Sequence, residues 1–169
     1  MSQLSIPSFD SPLMLRDSRG RYRQASADQI LEAARQVIDQ KMQRGDEFTS
    51  PAAVKDYLRA KLAGFEQEVF AVLFLDTCHR LIDYAEMFRG TIDSAEVHPR
   101  EVVKEALRLN AAAVIISHNH PSGNPEPSAA DRALTSQLRQ ALALVDVRTL
   151  DHIIVAGGTT TSFAKRGLI

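Results

Sequence analysis

The chain has no tryptophan, a single cysteine and an aromatic content of only 6%. Scarce aromatics leave few platforms on which unpaired bases can stack. One thiol, Cys78, makes no internal disulfide and excludes a zinc site built from several thiolates. An excess of one charge sign is also missing: 20 Lys and Arg stand against 21 Asp and Glu, for a formal net charge of −1. A dedicated duplex-binding domain is usually basic, so the charge balance does not demand nucleic acid. No apolar run approaches the length needed to span a bilayer. The opening stretch, MSQLSIPSFDSPLM, has neither the basic nor the long apolar region of a secretory leader. These features lead to the expectation of a cytoplasmic protein with no membrane partner. There is no internal repeat and no low-complexity tract.

What is present has the balance of a soluble globular protein: 44% hydrophobic and 24% charged residues over 169 positions, enough for one domain with a real core. Residues 1–25 read as irregular, with Pro7, Pro12, Gly20 and a small basic cluster of Arg16, Arg21 and Arg23. Ser26 and Gln29 have capping-box spacing at the start of a helix whose apolar positions run Ile30, Ala34, Val37, Ile38, Met42, until Gly45 stops it. Ser50 and Pro51 open a second helix, striped by Val54, Tyr57, Leu58 and Leu62 and ended by Gly64.

The texture changes at Glu68. Residues 68–76 are almost wholly apolar and read as a strand buried on both faces. A turn over 76–80 and a returning strand over 81–88 follow. Pro99 opens a helix that Asn110 ends in a left-handed conformation. Residues 111–117 form another buried strand, 118–127 a loop, and Ser128 caps a helix to about Leu144. Residues 147–156 make a further strand, turned by Gly157-Gly158. This alternation predicts an α/β layer fold, a mixed sheet covered by helices. Residues 1–64 are expected to form an N-terminal extension, an irregular segment plus two helices; residues 65–169 form the domain that carries chemistry.

The informative stretch is Ser117-His-Asn-His-Pro-Ser-Gly-Asn-Pro-Glu-Pro-Ser-Ala-Ala-Asp131. His118 and His120 stand two apart at a strand end, so both imidazoles face one way. Asp131 follows in the first turn of the next helix, and Pro121, Pro125 and Pro127 restrict the path between. Two His and one carboxylate make a three-ligand zinc site with its fourth position open to water, the arrangement of catalytic zinc. Separately, each part has an ordinary reading: His-x-His as polar residues at a strand end, Ser-x-x-Asp as a capping box. Other metal-hydrolase signatures are missing. There is no His-Glu-x-x-His helix and no Pro-Cys-x-x-Cys of zinc deaminases, and an amidohydrolase barrel needs about 250 residues.

His-x-His-Pro-x(6)-Ser-x-x-Asp resembles the signature of JAMM (MPN+) metalloproteases. With Val97-His-Pro-Arg-Glu101 and Leu150-Asp-His-Ile-Ile-Val155, the sequence resembles the RadC-type bacterial branch, over about residues 66–165. The resemblance implies a curved mixed β-sheet flanked by helices, a JAB/MPN-like fold with cytidine-deaminase-like layering. It implies one zinc ion held by His118, His120 and Asp131. It also implies a glutamate base at the start of an upstream strand, matched by Glu68 with Glu66 as the nearby alternative. The glutamate takes a proton from the attacking water, and the serine matched by Ser128 supports the tetrahedral intermediate. Asn119 stands where the eukaryotic proteases carry Ser or Thr, so deubiquitinase activity does not carry over.

The expected activity is zinc-dependent hydrolysis of a peptide or protein substrate, by a metallopeptidase or isopeptidase. Two alternatives are a DNA-processing, repair-associated RadC-like protein and a non-catalytic MPN-type interaction module. The two N-terminal helices lack the glycine-bearing hairpin of helix-hairpin-helix DNA-binding modules. His98, His79 and Cys78 read as structural or exposed. His152, next to Asp151, reads as structural within its strand, with hydrogen-bonded support of a metal ligand as the minor alternative.

Overall fold

A computed structural model describes residues 12–48, 50–90 and 96–169. Its centre is a five-stranded sheet built from β3 (Val69–Leu75), β4 (Leu81–Arg89), β5 (Ala113–Asn119), β6 (Arg148–Ala156) and β7 (Thr159–Ser162). The order across the sheet is β4-β3-β5-β6-β7. Only β5 and β6 run parallel, joined over one face by α4 (Ala129–Ala143); the other neighbours are antiparallel. The expected mixed sheet between helices is therefore what the chain forms.

Alternation along the strands divides the core in two. Val69, Ala71, Leu73, Leu75, Ala113 and Ile115 face α2 (Pro51–Leu62), which adds Val54, Tyr57, Leu58 and Leu62. Phe70, Val72, Phe74, Val114 and Ile116 face α3 (Pro99–Arg108) and α4, which add Val102, Ala106, Leu138 and Leu142. All seven residues of β3 are buried, which explains its unbroken apolar run: helices cover both faces and no position is left for a polar side chain. The capping signals hold. Ser26 and Gln29 cap α1 (Ala27–Lys41) reciprocally, Ser50 caps α2, and Asn110 takes a φ of 52° after α3.

Three features depart from the sequence expectations. Residues 12–25 are not irregular throughout: β1 (Met14–Arg16) pairs with β2 (Tyr22–Gln24) in a hairpin, while residues 1–11 lie outside the described residues. Strands of three residues carry no readable period. The turn is set by Asp17, whose carboxylate accepts the N–H groups of Arg19 and Arg21, and by Gly20 at φ 80°. The fifth strand, β7, is a Thr-rich edge segment with too little apolar content to announce itself. β5 also runs two residues further than expected, through His118 and Asn119. Antiparallel pairing of His118 with Phe70 carries the ladder to that point, where the loop had been expected to begin.

Candidate metal centre

The sheet determines how the candidate residues meet. His118 lies on the α3/α4 side of β5, two residues beyond Ile116 on the same face. His120 follows just past the strand end, its N–H held by the Val155 carbonyl at 2.8 Å. Asp131 is the third residue of α4. There it closes a reciprocal cap: its N–H donates to Ser128 Oγ at 3.0 Å, and its Oδ2 accepts the Ser128 N–H at 2.7 Å. Cap and candidate ligand are thus one side chain, and the carboxylate is fixed by the helix start itself.

His118 Nε2 lies 2.9 Å from His120 Nε2 and 3.3 Å from Asp131 Oδ1; His120 Nε2 lies 3.5 Å from Asp131 Oδ2. Metal–ligand bonds of about 2.0–2.1 Å in a tetrahedral site need ligand atoms about 3.3 Å apart. Two of the three separations match, and the two imidazoles need to part by only a few tenths of an ångström. The His118 side chain is 2% exposed, whereas His120 and Asp131 keep 15% and 13%. The group therefore has a dry floor and a wetted rim. No fourth ligating group joins these three among the described residues.

Proton placement supports a cation here. His120 Nδ1 lies 2.7 Å from the Asn124 carbonyl, which only accepts, so the ring carries its proton on that side and turns the Nε2 lone pair inward. Beside the carboxylate, such an inward lone pair calls for a positive charge. The hydrogen bond to Asp131 accordingly raises the His120 pKa against the opposing effect of burial, helped by the Asn124 carbonyl and the charges of Asp131 and Glu68. Burial pushes the Asp131 carboxyl upward, but its contacts with His118 and His120 outweigh this and hold it well below the usual carboxylate range. A proton and a metal cation compete for the same position.

Glu68 lies just before β3, two residues ahead of Phe70, the residue that pairs with His118. It is half-buried, and its charge reaches His120. Glu66 is exposed and lies in a shallow hollow with Asp28 and Arg89. Ser128 is exposed at the rim, with its oxygen accepting the Asp131 N–H. Three more residues complete the surroundings, of which only His152 carried a minor reading of this kind in the sequence. Asn119 grips the chain leading into β3, accepting the Val69 N–H at 2.7 Å and donating to the Gln67 carbonyl at 3.0 Å. His152, fully buried on β6, lies 2.8 Å from His118 Nδ1, and Thr135 lies 2.6 Å beyond it. Thr135 stands four residues after Asp131, one helical turn on, which is the signal that marks it as a neighbour. His98 packs edge-on against Phe88, and His79 sits in an exposed turn at φ 61°; neither belongs to the converging group.

A cavity of about 300 Å³ adjoins His120, lined by Phe65, Asn119, Pro121, Val155 and Gly157 among others. A more apolar hollow of about 360 Å³ lies on the α2 side of the sheet, lined by Leu75, Ile115 and Ile153, away from the candidate ligands.

Residues 48–168 match the RadC-like JAB domain family. The chain is 55% identical over 152 residues to a UPF0758 protein of Vibrio cholerae, covering 88% of this chain and 96% of that one. It is 57% identical over 150 residues to a UPF0758 protein of Methylibium petroleiphilum, covering 89% of this chain and 68% of that one. To a UPF0758 protein of Thioalkalivibrio sulfidiphilus it is 50% identical over 167 residues, 99% of this chain and 73% of the relative. A match that runs from before α2 to beyond β7, and takes in the two histidines and the carboxylate, makes the chain a member of the RadC-like JAB domain family, in which metal-dependent hydrolysis is common.

Proposed function

We propose that the protein is a zinc-dependent hydrolase of amide bonds, a metallopeptidase or isopeptidase. The observation that carries this reading is the convergence of the His118, His120 and Asp131 ligand atoms at a solvent-reached rim with no fourth protein ligand among the described residues. A zinc ion held by these three would act as a Lewis acid and bring the pKa of a water ligand to about 7.

The chain's own groups supply the rest. Glu68, whose charge reaches His120, takes the proton of the attacking water and delivers it to the departing amine. Because Ser128 Oγ already accepts the Asp131 N–H, its own proton is free to turn outward to the oxygen that gains charge as the tetrahedral carbon forms. Asn119 holds the backbone on both sides of Glu68, which limits how far the base strays.

Zinc analysis of purified protein combined with cleavage of unbiased peptide and isopeptide libraries tests this reading. The expected result is one zinc per chain and zinc-dependent cleavage of an amide bond. Fully zinc-loaded protein that cleaves nothing in either library counts against it.

A further inference from the structure

A buried chain of hydrogen bonds runs from α4 to the candidate ligand His118. Thr135 Oγ1 lies 2.6 Å from the Asp131 carbonyl and 2.6 Å from His152 Nδ1. His152 Nε2 then lies 2.8 Å from His118 Nδ1. Direction follows from counting protons. A carbonyl only accepts, so the single hydroxyl proton of Thr135 goes to Asp131. The Thr135 oxygen is left to accept, which places a proton on His152 Nδ1. Among the described residues no carboxylate meets the His152 ring, whose nitrogens are taken by Thr135 and His118, while the Asp151 carboxylate accepts only the His152 backbone N–H. The ring is wholly enclosed, stacked on Phe163 at 4.6 Å and edge-on to Phe70. A neutral ring with hydrogen on Nδ1 must accept at Nε2. His118 therefore donates from Nδ1 and keeps the lone pair of Nε2, the atom that faces His120 and Asp131.

We infer that His152 and Thr135 are a positioning pair that fixes the tautomer of His118, so that Nε2 is presented unprotonated to a cation. The value of this inference for metal binding rests on the metal reading above; the proton order itself does not. The arrangement uses both ring nitrogens of His152, one as donor and one as acceptor, so no apolar residue of similar volume replaces it. Gln places a donor and an acceptor on one carboxamide and preserves both roles. Thr135→Val keeps the shape but removes the acceptor; His152 then gains nothing by holding hydrogen on Nδ1, and the order of the chain is free to invert.

Long-range 1H–15N NMR of the histidine rings in metal-free wild-type protein at about pH 8 reads the tautomers directly. Hydrogen on Nδ1 of both His118 and His152 supports the inference, and hydrogen on Nε2 of either overturns it, whatever the protein does with zinc. In zinc titrations against a competing chelator, Thr135→Val and His152→Leu are expected to weaken binding about 10–100-fold, with His152→Gln close to wild type. Equal affinity in all four proteins overturns the inference. A wild-type protein that binds no zinc refutes the proposed function, while the ring spectra still decide the proton order.

Discussion

The side-chain oxygen of Asn119 accepts the Val69 N–H at 2.7 Å, tying the end of β5 to the start of β3 fifty residues away. The same carboxamide donates to the Gln67 carbonyl, so both neighbours of Glu68 hang from one buried side chain. Asn119→Ala leaves the Val69 N–H without this partner inside the core. A loss of about 1–3 kcal/mol in stability is expected, read from denaturant midpoints. Turnover should fall with little change in zinc content, because the three ligand side chains are untouched. Retention of full turnover would show that the β3 entry does not depend on this clamp.

Glu68 and Glu66 are separable by paired substitution. Glu68→Gln should keep the metal and lower turnover about 10²–10⁴-fold, the usual contribution of a positioned base. Glu66→Gln, at an exposed position beside Arg89, should leave turnover near wild type. The reverse pattern would move the base to Glu66.

Asp131 has two duties, and two substitutions divide them. Asp131→Asn keeps an oxygen that accepts the Ser128 N–H, so at about pH 9, above the His120 transition, thermal stability of the metal-free protein should stay close to wild type while zinc affinity collapses. Asp131→Ala leaves Ser128 Oγ accepting the backbone N–H but removes the carboxylate that accepts the Ser128 N–H, and should cost about a further 0.5–1.5 kcal/mol. If both variants melt alike, the cap contributes nothing measurable.

The pH response should change sign with metal. In metal-free protein, protonated His120 is stabilised by Asp131, so its folded pKa lies above the unfolded value of about 6.5. That stabilisation is complete below about pH 6.5 and is lost as pH rises through the folded pKa. Asp131 is shifted downward, so its share is present above the ordinary carboxylate range and disappears as pH falls through its lowered value. Melting temperatures in chelator should therefore decline from about pH 6 to pH 9, and Asp131→Asn should flatten the decline. With zinc bound the trend reverses, because protons compete with metal for His120. Parallel curves with and without zinc would contradict this.

Much of the fold was legible because its signals are local. The apolar stretch of β3, the Ser26 and Ser50 caps and the left-handed Asn110 each speak for themselves in sequence. The β1–β2 hairpin and β7 were not, since three or four residues are too few to give a period, and pairing partners supply what the segment itself lacks. At the site, His118, His120 and Asp131 stood out because two periodicities, strand and helix start, aim them at one point. His152 was readable chiefly as a structural strand residue, with support of a metal ligand only a minor alternative. Its role depends on β6 lying parallel to β5 with Ile116 opposite His152, a long-range register that no local pattern encodes. Asn119 was noticed for its identity, but its hold on residues 67 and 69 required the β3–β5 ladder.

Parallel pairing of β5 with β6 also separates the centre mechanically. His118 and His152 sit on adjacent strands of one continuous ladder, so the distance between their rings is governed by strand spacing. His120 and Asp131 instead flank a connection of largely exposed residues, 121–126. Amide exchange should then be slowest at the His118 anchor and much faster along that connection. Opening of that connection would change access to the rim while the His118 imidazole stays still on its ladder.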